Sequence, residues 1–120
     1  LGVYDLLNEG VAFAKVGKNC EALLCFDQAM KLNSECYYVW QCRGQILEQL
    51  GRDGEALECY EKTIELNPNN ADAWLNKGGV LICMSKLTEA LDCFEKAVKL
   101  DPEREYAVST VEMLKEKLSE

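Results

Sequence analysis

Histidine does not occur in this chain of 120 residues. Its absence removes the commonest general base at neutral pH and the commonest metal ligand together. No imidazole is available to activate a serine or thiol, and no serine stands in a G-x-S-x-G elbow. Also missing is any apolar run approaching the roughly 18 to 20 residues that cross a bilayer. The opening stretch LGVYDLLNEG carries no cationic leader region. Basic residues are scarce: 13 Lys and Arg against 21 Asp and Glu give a net charge of -8, with no clustered cationic stripe. Phosphate backbones are bound by displacing counterions with such a stripe, so a nucleic-acid partner is not expected. Together these absences predict a soluble, cytoplasmic chain with neither nucleic acid nor membrane among its partners. The chain begins at Leu1 rather than methionine, as a processed protein or a piece of a longer one would.

Metal and cofactor chemistry lack their parts as well. A zinc site gathers four ligands, with thiolates about 2.3 Å from the ion and usually supplied by closely spaced pairs. The seven cysteines include no C-x2-C pair, the nearest spacings being Cys20 with Cys25 and Cys36 with Cys42. An odd number at irregular intervals fits reduced thiols better than a disulfide framework. The segment AFAKVGKN ends in Gly17-Lys18, but a phosphate-binding loop needs glycine where Ala12 stands and Ser or Thr where Asn19 stands. Carboxylates such as Glu55, Glu58, Glu61 and Glu65 recur as a solvated face would, and none is singled out as an acid-base pair. The expectation is therefore a protein that is not an enzyme and carries no metal and no cofactor.

What is present is a period. CFDQAMKLNS, CYEKTIELNP and CFEKAVKLDP begin at Cys25, Cys59 and Cys93, 34 residues apart. Ala22, Ala56 and Ala90 keep that interval, as do Gly10, Gly44 and Gly78, Phe26, Tyr60 and Phe94, and Leu32, Leu66 and Leu100. Trp40 and Trp74, and Pro68 and Pro102, keep it too. A repeat of this length is one supersecondary unit used several times. With 48% hydrophobic and 28% charged residues, the chain has the balance of an ordinary globular domain.

Each unit reads as two helices. Over residues 37 to 50, Tyr37, Trp40, Leu47 and Leu50 return to one face. Gly51 supplies a stop, and Asp53 an oxygen suited to capping the next helix, expected from about Gly54 to Leu66. That helix sets Ala56, Cys59, Tyr60 and Thr63 along one edge, and Asn67-Pro68 ends it. The glycines and alanines let the paired helices approach while the aromatics fill the space beside them. Glu58/Lys62, Asp92/Lys96 and Glu95/Lys99 are spaced for i,i+4 ion pairs. Cys25, Cys59 and Cys93 fall on the core-side edge of the second helices and read as small hydrophobes, too far apart to bridge one another.

These residues resemble the tetratricopeptide repeat (TPR) family. Its pattern, W-x2-L-G-x2-Y followed by A-x3-F, A and P, is met by Trp40, Gly44, Leu47, Ala56, Tyr60 and Pro68 in one unit. The next meets it with Trp74, Gly78, Leu81, Ala90, Phe94, Ala97 and Pro102. An earlier unit keeps Gly10, Phe13, Ala22, Phe26 and Ala29, with Leu6 for the tryptophan and Ser34 for the proline. The resemblance implies an all-α, right-handed helical-repeat solenoid filling residues 1–120 as a single domain. Its repeats are expected at 3–36, 37–70 and 71–104, and a C-terminal cap helix at 105–118. In that helix Val108, Val111, Leu114 and Leu118 form one side, while Glu112 and Lys115 replace the glycine and the aromatic of the pattern.

A TPR array is similar to a curved groove lined by first helices, where a peptide or helix of a partner protein binds. Carried over position by position, the partner-binding residues are Tyr4, Leu7, Asn8 and Val11, then Tyr38, Gln41, Cys42 and Gln45, with Gln49 beyond. The last unit adds Asp72, Leu75, Asn76 and Gly79. Asn8 and Asn76 suit a peptide backbone, and Tyr4 and Tyr38 add rigid contact area. The register also points the Cys42 thiol into the groove. The clamp that holds chaperone C-terminal carboxylates in some relatives would need Lys and Asn where Leu7 and Val11 stand. It would need Asn at Cys42, and Lys and Arg at Asp72 and Asn76, so such a tail is not the expected partner. The alternative is a self-associating module, or a fragment of a longer array, stacking through the uncapped first repeat by Val3, Leu6, Leu7 and Val11.

Overall fold

The computed structural model describes residues 2–120, and Leu1, the first residue of the expected domain, lies outside them. All regular structure among the described residues is helical. In order the helices are α1 (Val3–Lys15), α2 (Asn19–Leu32), α3 (Tyr37–Gln49), α4 (Asp53–Leu66), α5 (Ala71–Cys83), α6 (Leu87–Leu100) and α7 (Glu105–Leu118). None is long and apolar enough to cross a membrane. The chain divides into two compact units, Leu1–Asn67 with α1 to α4 and Pro68–Glu120 with α5 to α7.

Within each pair the helices touch at glycine. A Cβ added to Gly10, Gly44 or Gly78 would come within 2.5, 2.7 or 2.6 Å of a ring carbon of Phe26, Tyr60 or Phe94. All three rings are wholly buried, so they cannot give way. The period in glycine and the period in aromatics are thus one contact, repeated.

The turns inside the pairs are equally regular. Gly17 and Gly51 adopt φ of 80° and 76°, the left-handed region open to glycine. Arg52 N donates to Leu47 O at 2.9 Å and Gly51 N to Glu48 O at 3.0 Å, the double bond that closes a helix on a left-handed residue. Lys18 N to Phe13 O and Lys86 N to Leu81 O repeat it. In the third pair the left-handed residue is Ser85, at φ 62°. Such tight turns correct the expected role of Asp53. It is the first residue of α4, and Arg52 is both the end of the turn and the N-cap, leaving no place for a side-chain cap.

Elsewhere the helical faces are rotated from their expected positions. On α3 the buried residues include Val39, Gly44, Ile46 and Leu47, whereas Tyr37 and Leu50 are exposed. Trp40 is half-buried, and its indole N–H donates to Ser34 O at 2.7 Å. Trp74 does the same to Pro68 O at 3.0 Å. What the tryptophan requires is a carbonyl, which explains why Ser34 can stand in for the proline. The edge Ala56, Cys59, Tyr60 and Thr63 on α4 is wholly buried. The surface pairs differ from the i,i+4 expectation: Lys62 meets Glu65 at 3.5 Å and Glu95 meets Lys115 at 3.8 Å.

Cys59 is more than a small hydrophobe. Arg43 Nη1 donates to its sulfur at 3.0 Å while Arg43 Nε donates to Asp27 Oδ1 at 2.8 Å. Burial pushes the Cys59 thiol up, and the guanidinium only partly offsets it. Tyr60 is pushed up in the same way by burial and by donating to Glu48 Oε1 at 2.8 Å.

Candidate partner-binding surface

The first unit draws four of the expected residues into one place. Val11 of α1 and Tyr38, Cys42 and Gln45 of α3 line a hollow of about 240 Å3, together with Ala14, Lys15, Phe26 and Ile46. The floor is apolar. Its rim carries the Tyr38 ring, 48% exposed, the exposed Gln45 amide and the exposed Lys15 ammonium. Lys15, Ala14 and Ile46 were not among the expected residues; they lie three or four residues from Val11 and Cys42, which is the neighbour spacing of a helix.

Cys42 does not open onto this rim. It is only 8% exposed, and burial pushes its thiol up to about 11, an effect that the Tyr38 hydroxyl partly relieves by hydrogen bonding. The Tyr38 hydroxyl is raised in turn, foremost by Cys42 and then by burial, so both groups stay protonated near neutral pH. The thiol is a wall of the hollow, not a nucleophile. Leu7 and Gln41 are likewise buried, while Tyr4, Asn8 and Gln49 are exposed.

In the second unit the expected residues stand in different settings. Asp72 is exposed, but Arg104 Nη1 donates to its carboxylate at 2.6 Å, and Asn70 caps α5 by accepting from Asp72 N at 3.1 Å. Leu75 is buried. Asn76 is half-buried, and its Nδ2 has no acceptor among the described residues. A Cβ at Gly79 would meet nothing within 4 Å.

Three residues of α7 share the phase of the expected ones. One further period from Asp72, Asn76 and Gly79 stand Tyr106, Thr110 and Met113. Tyr106 is 61% exposed and Met113 52% exposed, and the Thr110 hydroxyl donates to Tyr106 O at 2.8 Å. The ring of Tyr106 also meets Phe94 edge-on, with centroids 6.0 Å apart. The recurrence of tyrosine at 4, 38 and 106 was the available signal.

Comparison with solved structures places this arrangement among known folds. The first TPR of Spaghetti (RPAP3), bound to the HSP90 peptide SRMEEVD, matches with a TM-score of 0.93 and 21% identity, over 98% of this chain and 94% of that one. MamA matches with a TM-score of 0.93 and 20% identity, over 98% of this chain and 68% of that one. The Arabidopsis OM64 TPR domain gives 0.91 and 21%, over 97% and 96%. At such identities what is shared is the fold. No curated protein matches the sequence. Residues 20–50, which take in α2 and α3, match the protein prenyltransferase alpha subunit repeat, a pairing shifted by one helix from the 34-residue units. The tetratricopeptide repeat model matches residues 37–70 and 71–104, more than half of the chain and in the register of its glycine-aromatic contacts. The chain belongs to the tetratricopeptide repeat family.

Proposed function

We propose that this chain is a non-enzymatic protein-protein interaction module that holds a peptide or helix of a partner against the faces of its first helices. TPR domains are interaction modules, and relatives of this fold bind peptides. The observation that carries the reading is the hollow beside Tyr38. Its apolar floor accepts one aliphatic side chain, while Tyr38, Gln45 and Lys15 are left to engage the polar groups around it. The 34-residue units at 3–36, 37–70 and 71–104, followed by the helix at 105–118, serve in this reading as one domain. Its seven free thiols suit a reducing, cytoplasmic compartment.

The partner is not a chaperone C-terminal tail in this reading. A bound carboxylate would meet Leu7, Val11 and Cys42, of which two are buried and none carries a charge, and the acidic Asp72. Self-association through Val3, Leu6, Leu7 and Val11 loses its motive, because Leu6 and Leu7 are core residues and Val3 and Val11 pack against that core. Affinity capture with the intact chain, followed by competition with Tyr38→Ala, Gln45→Ala and Asn76→Ala, tests the proposal. Loss of a Tyr38 anchor should weaken the captured partner by about tenfold or more. Unchanged affinity for all three variants would exclude this face as the binding surface.

A further inference from the structure

The hollow beside Tyr38 has a direction. Consecutive helices joined by short turns run opposite ways, so α1 and α3 run the same way, both packed on α2 and scarcely touching each other. The hollow is the trough left between them. Tyr38 stands at its N-terminal end, in the first turn of α3, and Lys15, the last residue of α1, stands at its C-terminal end. Of the residues that line it only Lys15 is charged. Its ammonium is exposed and makes no ion pair or side-chain hydrogen bond with any described residue. The floor also favours one conformation in whatever covers it. Val11, Ala14, Phe26 and Ile46 carry no polar side-chain atom. Cys42, at the step of the period where Asn8 and Asn76 stand, is a buried thiol already engaged by the Tyr38 hydroxyl. An extended strand laid on this floor would bury N–H and C=O groups with few partners, whereas a helix satisfies its own.

Resting on the partner-binding reading, we propose that the hollow takes an amphipathic helix of a partner protein that carries a carboxylate four residues before an aliphatic side chain. The aliphatic group sits on the floor between Val11 and Cys42, and the carboxylate meets Lys15. Lys15 lies one turn, about 6 Å, beyond Val11 on α1, which is the same step that separates the two side chains of the partner. The partner runs antiparallel to α1 and α3. It thereby brings the positive end of its helix towards the negative ends of theirs, and an acid in its early turns is where the macrodipole favours one. With the two side chains in the reverse order, the carboxylate would fall at the Tyr38 end, where no cation lines the hollow. The other way to reach Lys15 would be a parallel helix, with like ends set together. A trough between two parallel helices is a shape that receives a third, by apolar anchors at helical spacing.

Alanine-rich helical peptides of about 16 residues, long enough to hold a helix, test the proposal when they carry one Glu-x-x-x-Leu pair near the N-terminal end. Titrated into the intact chain, this probe should shift the NMR signals of Lys15, Tyr38 and Gln45 and reach saturation. Replacing its leucine by alanine should abolish saturation, and the order Leu-x-x-x-Glu should weaken binding by about threefold or more. Lys15→Gln should weaken the probe by about threefold and Lys15→Glu by about tenfold. A Lys-x-x-x-Leu peptide should recover binding to Lys15→Glu within about threefold of the original. Lys15 is exposed, and unchanged circular dichroism checks that both variants fold. The proposal is overturned by a probe that does not saturate, by one that binds equally without its leucine or in either order, or by Lys15 variants that bind it unchanged. These outcomes bear on the class of partner alone. A captured partner that loses affinity to Tyr38→Ala would still uphold the surface, whatever the probe does.

Discussion

At the scale of single residues, the two informative side chains are those that burial has silenced. Tyr60 is an aromatic with an extra hydroxyl where Phe26 and Phe94 stand in the other pairs, so Tyr60→Phe keeps the packing and removes only the bond to Glu48. Its cost should be about 1 kcal/mol near neutral pH. The Tyr60 hydroxyl is raised in the folded state, so the fold retains a proton that the unfolded chain gives up above about pH 10. Stability from this group is complete below that pH and is lost as pH rises further. Denaturation midpoints of the two proteins should therefore converge under alkaline conditions; parallel curves would mean that Tyr60 titrates in the fold as it does in water. Cys42 makes the second case. With a thiol reagent at pH 8, Cys20 and Cys83, both exposed, should react first, and Cys42 should wait for unfolding. Rapid labelling at Cys42 in the native state, read by peptide mass, would refute the wall-like role given to it. Sequence placed Cys42 on the helix face that lines the hollow but could not tell a lining group from a presented one. That difference depends on the Tyr38 hydroxyl and on the depth of the α1 and α3 contact.

At the scale of elements, the turn within each helix pair follows one design with one exception. Gly17 and Gly51 hold left-handed backbone freely, whereas Ser85 holds it against the clash of its Cβ. Ser85→Gly should stabilise the chain by about 1 kcal/mol, and Gly51→Ala should destabilise it by a similar amount, both read from chemical denaturation. Loss of stability in Ser85→Gly would mean that the serine makes a contact outweighing the strain. This turn is also where reading the sequence succeeded and failed together. Gly51 announced the stop, yet Asp53 was given a capping role that the brevity of the turn denies it. The faces of α3 were misread for a related reason. Tyr37 and Leu50 are large and apolar, but they sit at the first residue and the C-cap of the helix, while Val39 and Ile46, set further in, take buried places.

At the scale of the whole molecule, the seven helices of the described residues were legible because the interval of 34 residues is carried by contacts that tolerate little variation. A glycine under a ring admits no other side chain, and its recurrence survives where most surface residues differ. The proposed partner-binding face was less legible because its positions are defined by phase rather than by residue type. Phase counted Leu7, Gln41 and Leu75, which are buried, and passed over Lys15, which is not. The charge pattern gives a prediction at this scale. Titration of the intact chain with the peptide SRMEEVD should show no saturable binding by calorimetry, since the clamp positions offer no cation to its carboxylates. Saturable binding would require another cationic anchor, and Lys15 would be the first to replace.

The bare backbone beneath each ring has one more consequence, and it falls at Glu112. This residue occupies on α7 the step of the period that Gly10, Gly44 and Gly78 occupy on α1, α3 and α5. Even one carbon there would strike an incoming ring, and a glutamate adds four more heavy atoms. Glu112 thus changes the terms of the contact at α7: a ring that reached it would meet a carboxylate side chain where the other first helices offer bare backbone.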